Sequence, residues 1–301
     1  MLGILQKKLN TIEATPILKQ TLFVLLVFAT CALHSFAAQM VEPGYEFKDC
    51  DDCPIMVVIP EGQYGMGGPP IDQGRPFSEG ELRLVNVPRF SVGKYEITVN
   101  QWRACVNDDG CQEIKLEDWV EGEHPVANIS WTEATKYTKW LSQKTKKPYR
   151  LLTEAEWEYV ARANGTRARF FGVKKEEICR FSNVYDETAE EVLGYGLESL
   201  PCSDGFEHSA PVGTFKPNQF GVHDMVGNVW EWVEDCQATH WRNAPNDSSA
   251  RVSGICTERA YRGGSWLSHP PKYLQTHHRY KFLGSREIDL GFRIALSLDA
   301  P

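Results

Sequence analysis

The sequence predicts a mixed α+β fold with little regular secondary structure. Three observations lead to this fold class: three well-marked helix starts, a few short apolar strands, and long aperiodic stretches rich in Gly, Pro, Asn and Asp beyond Gly165. The chain has 301 residues, 42% of them hydrophobic, which suits one large globular domain or two small ones. Because long loops are uncommon in compact domains, we expect disulfides and bound cations to hold them.

Residues 1–38 have the features of a signal peptide. Lysines precede an apolar stretch at 22–33, and small residues ending at Ala37 and Ala38 offer a signal-peptidase site. The apolar stretch is too short for a comfortable membrane span, so we expect cleavage, a periplasmic or secreted protein, and no membrane span after signal removal. Two less favoured alternatives are an uncleaved anchor and a lipoprotein attached at Cys31.

The predicted strands are short and lie early in the chain. The run IMVVIP at 55–60 is a compact apolar strand that leads into a Gly- and Pro-rich loop. Residues 84–88 and 90–97 alternate between apolar and polar side chains, which is the period of a half-buried strand.

Three helix starts share the capping-box spacing. Thr98, Ser130 and Thr153 each place a hydroxyl at the N-cap, with Glu or Gln three residues later. The third helix should bury Trp157 and end near Gly165, because an Asn-Gly pair stops helices well. By default these helices are structural.

The whole set of motifs resembles the formylglycine-generating enzyme family, also called sulfatase-modifying factors. The resemblance implies one domain at 54–299, preceded by a linker at 39–53, with a fold related in topology to C-type lectin-like domains. It rests on segments that occur in the family's order: MVVIPEG at 56–62, YEIT at 95–98, HPVANISW at 124–131, YRLLTEAEWE at 149–158, APVG at 210–213, GVHDMVGNVWEW at 221–232, RGGSW at 262–266 and LGFR at 290–293.

Cysteine usage agrees with export. Removal of Cys31 with the signal peptide leaves an even number of cysteines, and their clustering suggests that neighbours pair, although sequence alone does not fix connectivity. For Cys50 and Cys53, a metal-binding or redox-active pair is the alternative to a structural disulfide. The expected pairs are Cys50 with Cys53, Cys105 with Cys111, Cys179 with Cys202, and Cys236 with Cys256.

The resemblance also implies two structural calcium sites. Calcium prefers six to eight oxygen ligands from carboxylates and backbone carbonyls, and relatives bind it at the positions given below. The alternative for the first site is a turn with an Asp cap and a surface Glu, and for the second it is a pair of Asx-type turns. The first set is Asp224, Gly227, Val229 and Glu231, and the second is Asn183, Val184, Asp204 and Phe206.

The copper site of the family is altered in this chain. The resembling enzymes hold copper with two thiols after the Gly-Gly-Ser segment and use it to oxidise a substrate cysteine. No cysteine follows Cys256, and the thiol positions correspond to Ser268 and, within a residue or two, Tyr273. Neither offers the soft ligand that Cu(I) requires, so we expect no copper. The catalytic residues are therefore left unassigned.

The remaining pocket candidates surround the same segment. Histidines at 269, 277 and 278 could bind another metal. However, the adjacent histidines 277 and 278 would point to opposite faces of a strand, so only one of them could join His269. We therefore favour histidines that line a pocket or lie on the surface. For Arg279 and Arg293, a structural salt bridge is an equal alternative to a role in the pocket. The candidates are Trp266, His269, His277, Arg279 and Arg293.

Two functional classes follow from these features. The favoured one is a divergent member that binds a peptide, protein or other ligand in the family cleft. The alternative is an oxidoreductase of the formylglycine-generating type that acts on a cysteine-containing or other peptidic substrate through a rearranged metal site. The formal net charge of −8 and the absence of a basic block give no reason to expect nucleic-acid binding.

Overall fold

The computed structural model describes residues 42–67, 82–165, 174–236, 244–252, 256–269, 279–282 and 286–298. The expected signal peptide, Tyr273 and His277 lie outside these ranges. The elements are short, which confirms the mixed α+β class. The strands are β1 Glu46–Phe47, β2 Met56–Ile59, β3 Gly62–Met66, β4 Arg83–Val87, β5 Phe90–Gly93, β6 Tyr149–Leu151, β7 Trp230–Cys236, β8 Arg259–Arg262, β9 Arg279–Phe282, β10 Leu290–Phe292 and β11 Ile294–Ser297; the helices are α1 Val99–Asn107, α2 Trp131–Thr145, α3 Glu154–Arg162 and α4 Glu187–Leu193, with a 3-10 helix at Lys175–Arg180.

Each predicted helix start is confirmed. Thr98, Ser130 and Thr153 accept hydrogen bonds from the backbone N–H three residues later, and the Gln or Glu there accepts from the N-cap backbone N–H. Every residue of α3 is buried, including Trp157. Helix α3 ends at Arg162, and the next residue is left-handed, just before the predicted Asn-Gly stop.

Two sheets divide the core. The five-stranded antiparallel sheet has the order β1-β2-β5-β11-β6, and the four-stranded sheet has the order β10-β7-β8-β9, with β10 parallel to β7. Strands β10 and β11 belong to different sheets and are separated only by Arg293, so this residue lies at the junction. The third sheet is the antiparallel pair β3-β4.

One predicted strand is shorter than expected. Strand β5 ends at Gly93 instead of continuing to Ile97, because the backbone of Ile97 bonds elsewhere: its N–H donates to Phe292 O, and its carbonyl accepts from Val126 N. This departure from the sheet carries Glu96 into the interior, where it is 1% exposed.

The four predicted disulfides are present with the predicted pairing, which joins near neighbours in the chain. Part of the expected linker is folded: β1 pairs with β2, and the Cys50–Cys53 bond follows it directly. Within the described ranges no helix is both long and apolar enough to cross a membrane.

Candidate functional site

A buried cluster of charged side chains lies where the two sheets meet. Glu231 accepts hydrogen bonds from Arg293 Nη2 at 2.8 Å and from Trp157 Nε1 at 2.8 Å. Arg293 also donates to the carbonyls of Gly93 and His223. Arg293 is fully buried, so it does not line an open pocket. It is the counter-ion of Glu231, as in the structural salt bridge that is the alternative expected from the sequence for this arginine.

The cluster carries more negative than positive charge. Glu96 and Asp224 are buried beside Glu231, and Arg293 is the guanidinium that acts on all three carboxylates. Burial, with repulsion from Asp224 and Glu231, raises the pKa of Glu96 well above its usual range. Burial also raises the pKa of Asp224 to about 6. A divalent cation would balance this excess, because buried charges require partners.

The turn at 224–231 fits the first candidate calcium site. Asp224 Oδ2 accepts from Gly213 N at 2.7 Å, whereas Asp224 Oδ1 is buried and has no hydrogen-bond partner in the part of the chain that the structure describes. Gly227 has φ +83°, and a Cβ there would lie 2.1 Å from Asn183 O. The turn therefore requires glycine, and it leaves a buried carboxylate oxygen of the kind that calcium binds.

The second candidate site also contains a buried oxygen without a partner. Asn183 donates through Nδ2 to His208 O at 2.8 Å, while its Oδ1 has no hydrogen-bond partner within the described ranges. The carboxylate of Asp204 accepts from Val184 N and Phe206 N, each at 2.9 Å. Burial, together with the charge of Asp186, raises the pKa of Asp204 to about 7.

These two segments are joined by a disulfide next to the site. Cys179 and Cys202 are bonded, and Cys179 belongs with Asp186 and Asp204 to the one group of three candidate ligand atoms within 4.8 Å among the described residues. Its sulfur is already in the disulfide and is not a thiolate. This group is therefore not a three-ligand site, and of its members only Asp204 belongs to the second predicted calcium set.

The segment after the Gly-Gly-Ser motif forms a turn that we call the cleft turn, residues 263–268. Ser268 Oγ accepts from Ser265 N at 2.9 Å, and Ser265 Oγ donates to Asp289 Oδ2 at 2.6 Å. Trp266 is buried, and Nδ1 of His269 lies 3.1 Å from Leu267 O. A serine hydroxyl in a hydrogen-bonded turn thus occupies the position expected for the first copper thiol.

Aromatic rings gather around the cleft turn. The Trp119 ring stacks on His208 with centroids 4.3 Å apart, and Trp266 meets both rings edge-on. His269 lies 6.0 Å from the ring of Tyr185. Burial lowers the pKa of His208, which favours the neutral imidazole.

Several of these residues are absent from the sequence prediction. Trp119 and His208 come from loops without a motif, and nothing local indicates their contact. Glu96 belongs to the YEIT segment, which follows β5, and the polar residues around it gave no local sign that it would be buried. The predicted residue Arg279 lies in β9, opposite Arg262, and the histidine at 277 lies outside the described ranges.

Residues 44–298 match the model of the sulfatase-modifying factor enzyme 1-like domain family. The chain belongs to this family. It is 31% identical to a formylglycine-generating enzyme of Mus musculus over 295 residues, which covers 80% of this chain and 74% of the relative. It is also 26% identical to the inactive Cα-formylglycine-generating enzyme 2 of Mus musculus over 302 residues, covering 82% of this chain and 87% of that protein.

A solved structure extends the likeness to three dimensions. The structure of PvdO from Pseudomonas aeruginosa aligns with a TM-score of 0.76 at 33% sequence identity, and the alignment covers 85% of this chain and 99% of that one. The chain therefore has the formylglycine-generating-enzyme fold. Because its relatives include proteins named as active and as inactive enzymes, membership alone does not decide whether it catalyses a reaction.

Proposed function

We propose that this protein is an exported, calcium-stabilised member of its family that binds a peptidic ligand beside the cleft turn and does not form formylglycine with copper. The observation that carries the proposal is Ser268. Its hydroxyl lies in the turn where the family resemblance places the first copper thiol, and it is already engaged by Ser265 N. A neutral hydroxyl is a hard, weak donor for Cu(I).

The state of the other cysteines supports this proposal. Among the described residues, every cysteine is in a disulfide, so none supplies a thiolate to the cleft. The same four bonds support export, because disulfides persist in oxidising compartments.

Calcium is supported by two of the buried oxygens that have no hydrogen-bond partner among the described residues. Asp224 Oδ1 and Asn183 Oδ1 each belong to one of the predicted ligand sets. A buried polar atom without a partner costs free energy, and a bound cation would remove that cost. When bound, calcium would supply structural charge balance and no redox chemistry.

Ligand binding is supported by the rings around the cleft turn. Trp119 and His208 are partly exposed and stand against buried Trp266. Such rings bury large areas with little loss of side-chain entropy and bind peptide groups through stacking and edge contacts.

Metal analysis and a binding assay test the proposal together. The purified mature protein should contain calcium without stoichiometric copper or iron. It should bind a labelled sulfatase-type peptide equally well when the peptide cysteine is replaced by serine, and Trp119→Ala should weaken binding about tenfold, the loss of roughly one ring contact. Tyr45→Ala, beside β1, is the matched control. No binding of either peptide would contradict the ligand class.

One observation favours a second function, an oxidoreductase with a rearranged metal. His269 follows Ser268, and its Nδ1 lies at hydrogen-bonding distance from Leu267 O. If Nδ1 carries the proton, Nε2 is left as a lone-pair donor, which is a common arrangement in metal-binding histidines. Stoichiometric copper or iron that is lost in His269→Ala would favour this function over the first.

A further inference from the structure

Asn228 lies between the two predicted calcium-ligand carbonyls of the first site. It is 1% exposed and has φ +61°, a left-handed conformation that asparagine tolerates better than most residues. Its neighbours Gly227 and Val229 would supply carbonyls to the cation, so the position of Asn228 is tied to that of the site.

Both ends of the Asn228 side chain are used in the interior. Nδ2 donates to Glu96 Oε2 at 2.7 Å, and Oδ1 accepts from Ala210 N at 2.9 Å. The first bond holds the carboxylate that faces Asp224 in the buried cluster. The second holds the loop that contains His208, whose carbonyl accepts from Asn183.

The backbone of Asn228 connects two further parts of the molecule. Its N–H donates to Asn183 O at 2.8 Å, and its carbonyl accepts from Trp266 N at 2.9 Å. Next to it, Gly227 N donates to Gly263 O at 3.0 Å. Asn228 is thus bonded to Asn183 of the second predicted calcium set and to Trp266 of the cleft turn, and in the sequence it lies within the first predicted set.

We infer that Asn228 is a positioning residue through which calcium occupancy fixes the cleft turn. The inference rests on the calcium binding proposed above. A cation at 224–231 would hold the carbonyls on both sides of Asn228. The side-chain bonds of Asn228 to Glu96 and Ala210 would fix the turn in place. The backbone bonds of the fixed turn, from Trp266 N to Asn228 O and from Gly227 N to Gly263 O, would then carry this restraint to the cleft turn. By reciprocity, a ligand held by the cleft turn would raise the affinity for calcium.

The chemistry of asparagine explains why no similar residue can take this position. The side chain must donate to Glu96 and accept from the Ala210 N–H at the same time. Aspartate has no donor and would add another buried carboxylate. Glycine keeps the left-handed backbone and removes only the side-chain bonds, so Asn228→Gly is the most selective test.

The experiment measures hydrogen exchange of the full mature protein with calcium as the probe. We expect calcium to slow amide exchange in peptides covering 263–269 about tenfold in the parent, within the usual range of coupling between sites. In Asn228→Gly calcium should still bind by calorimetry, but this slowing should disappear. The matched control is Asn128→Gly, which replaces another left-handed asparagine (φ +60°) whose side chain donates to Lys115 O and which belongs to neither predicted ligand set.

Each outcome bears on a different proposal. Calcium binding with parent-like slowing in Asn228→Gly, or calcium binding without slowing in the parent, overturns the role of Asn228 and leaves calcium binding intact. Absence of calcium binding to the parent overturns both. If the glycine variant does not fold, Asn228→Ser serves, because serine is uncharged and its single hydroxyl cannot bond Glu96 and Ala210 N at the same time; retained slowing there would equally refute the inference.

Discussion

Replacement of Asp224 by asparagine should give a protein that is more stable than the parent in chelator but not in excess calcium. In chelator at pH 7.5 the parent must keep a buried carboxylate beside Glu231 and Glu96 without a cation. Asparagine is neutral, and its amide oxygen can still accept from Gly213 N. The variant should therefore be the more stable protein in chelator and lose this advantage in excess calcium.

The magnitude follows from the pKa of Asp224. Burial raises it from 3.8 to about 6, which corresponds to about 3 kcal/mol lost from the free energy of unfolding at neutral pH. The carboxyl group of Asp224 binds its proton more tightly in the folded state than in the unfolded state. The resulting loss of unfolding free energy is therefore absent below pH 4, grows between pH 4 and about pH 6, and is constant at higher pH. Calcium at a hundredfold excess over Kd would return about 3 kcal/mol to the parent.

Thermal unfolding with calcium and with chelator measures this reversal. For a domain of this size, 3 kcal/mol corresponds to a shift of roughly 6 °C or more in Tm. Asp247→Asn is the matched control, because this carboxylate is exposed and its pKa is lowered by bonds from Ser249. A parent that remains more stable than Asp224→Asn in chelator at pH 7.5, or that does not respond to chelator, would refute the reasoning.

Three further outcomes are expected. Non-reducing peptide mapping of the mature protein should find no free thiol, and a free pair at Cys50 and Cys53 would restore the redox interpretation. Mass spectrometry should detect no conversion of cysteine to formylglycine in a sulfatase-type peptide, with or without copper; conversion would show that thiols at the position of Ser268 are dispensable. Burial raises the pKa of Asp235 to about 7, so parent stability should fall between pH 4 and 7, and Asp235→Asn should flatten that slope; equal slopes would contradict this assignment.

The sequence by itself determined the features that depend on near neighbours. A capping box closes within four residues, so Thr98, Ser130 and Thr153 mark helix starts without help from the rest of the chain. The disulfides join cysteines that are at most 23 positions apart. The DMVGNVWEW segment at 224–232 likewise places the turn and its two acidic residues together.

Only the tertiary structure decided which distant groups meet. Glu96 and Asn228 are 132 positions apart, and Arg293 and Glu231 are 62 positions apart. No local pattern records these pairings, because the partner of a buried charge is chosen by the packing of the two sheets around it. The structure therefore turned Arg293 from a pocket candidate into an internal counter-ion, and it showed that Asn228 is hydrogen-bonded both to Glu96 and to Trp266 of the cleft turn.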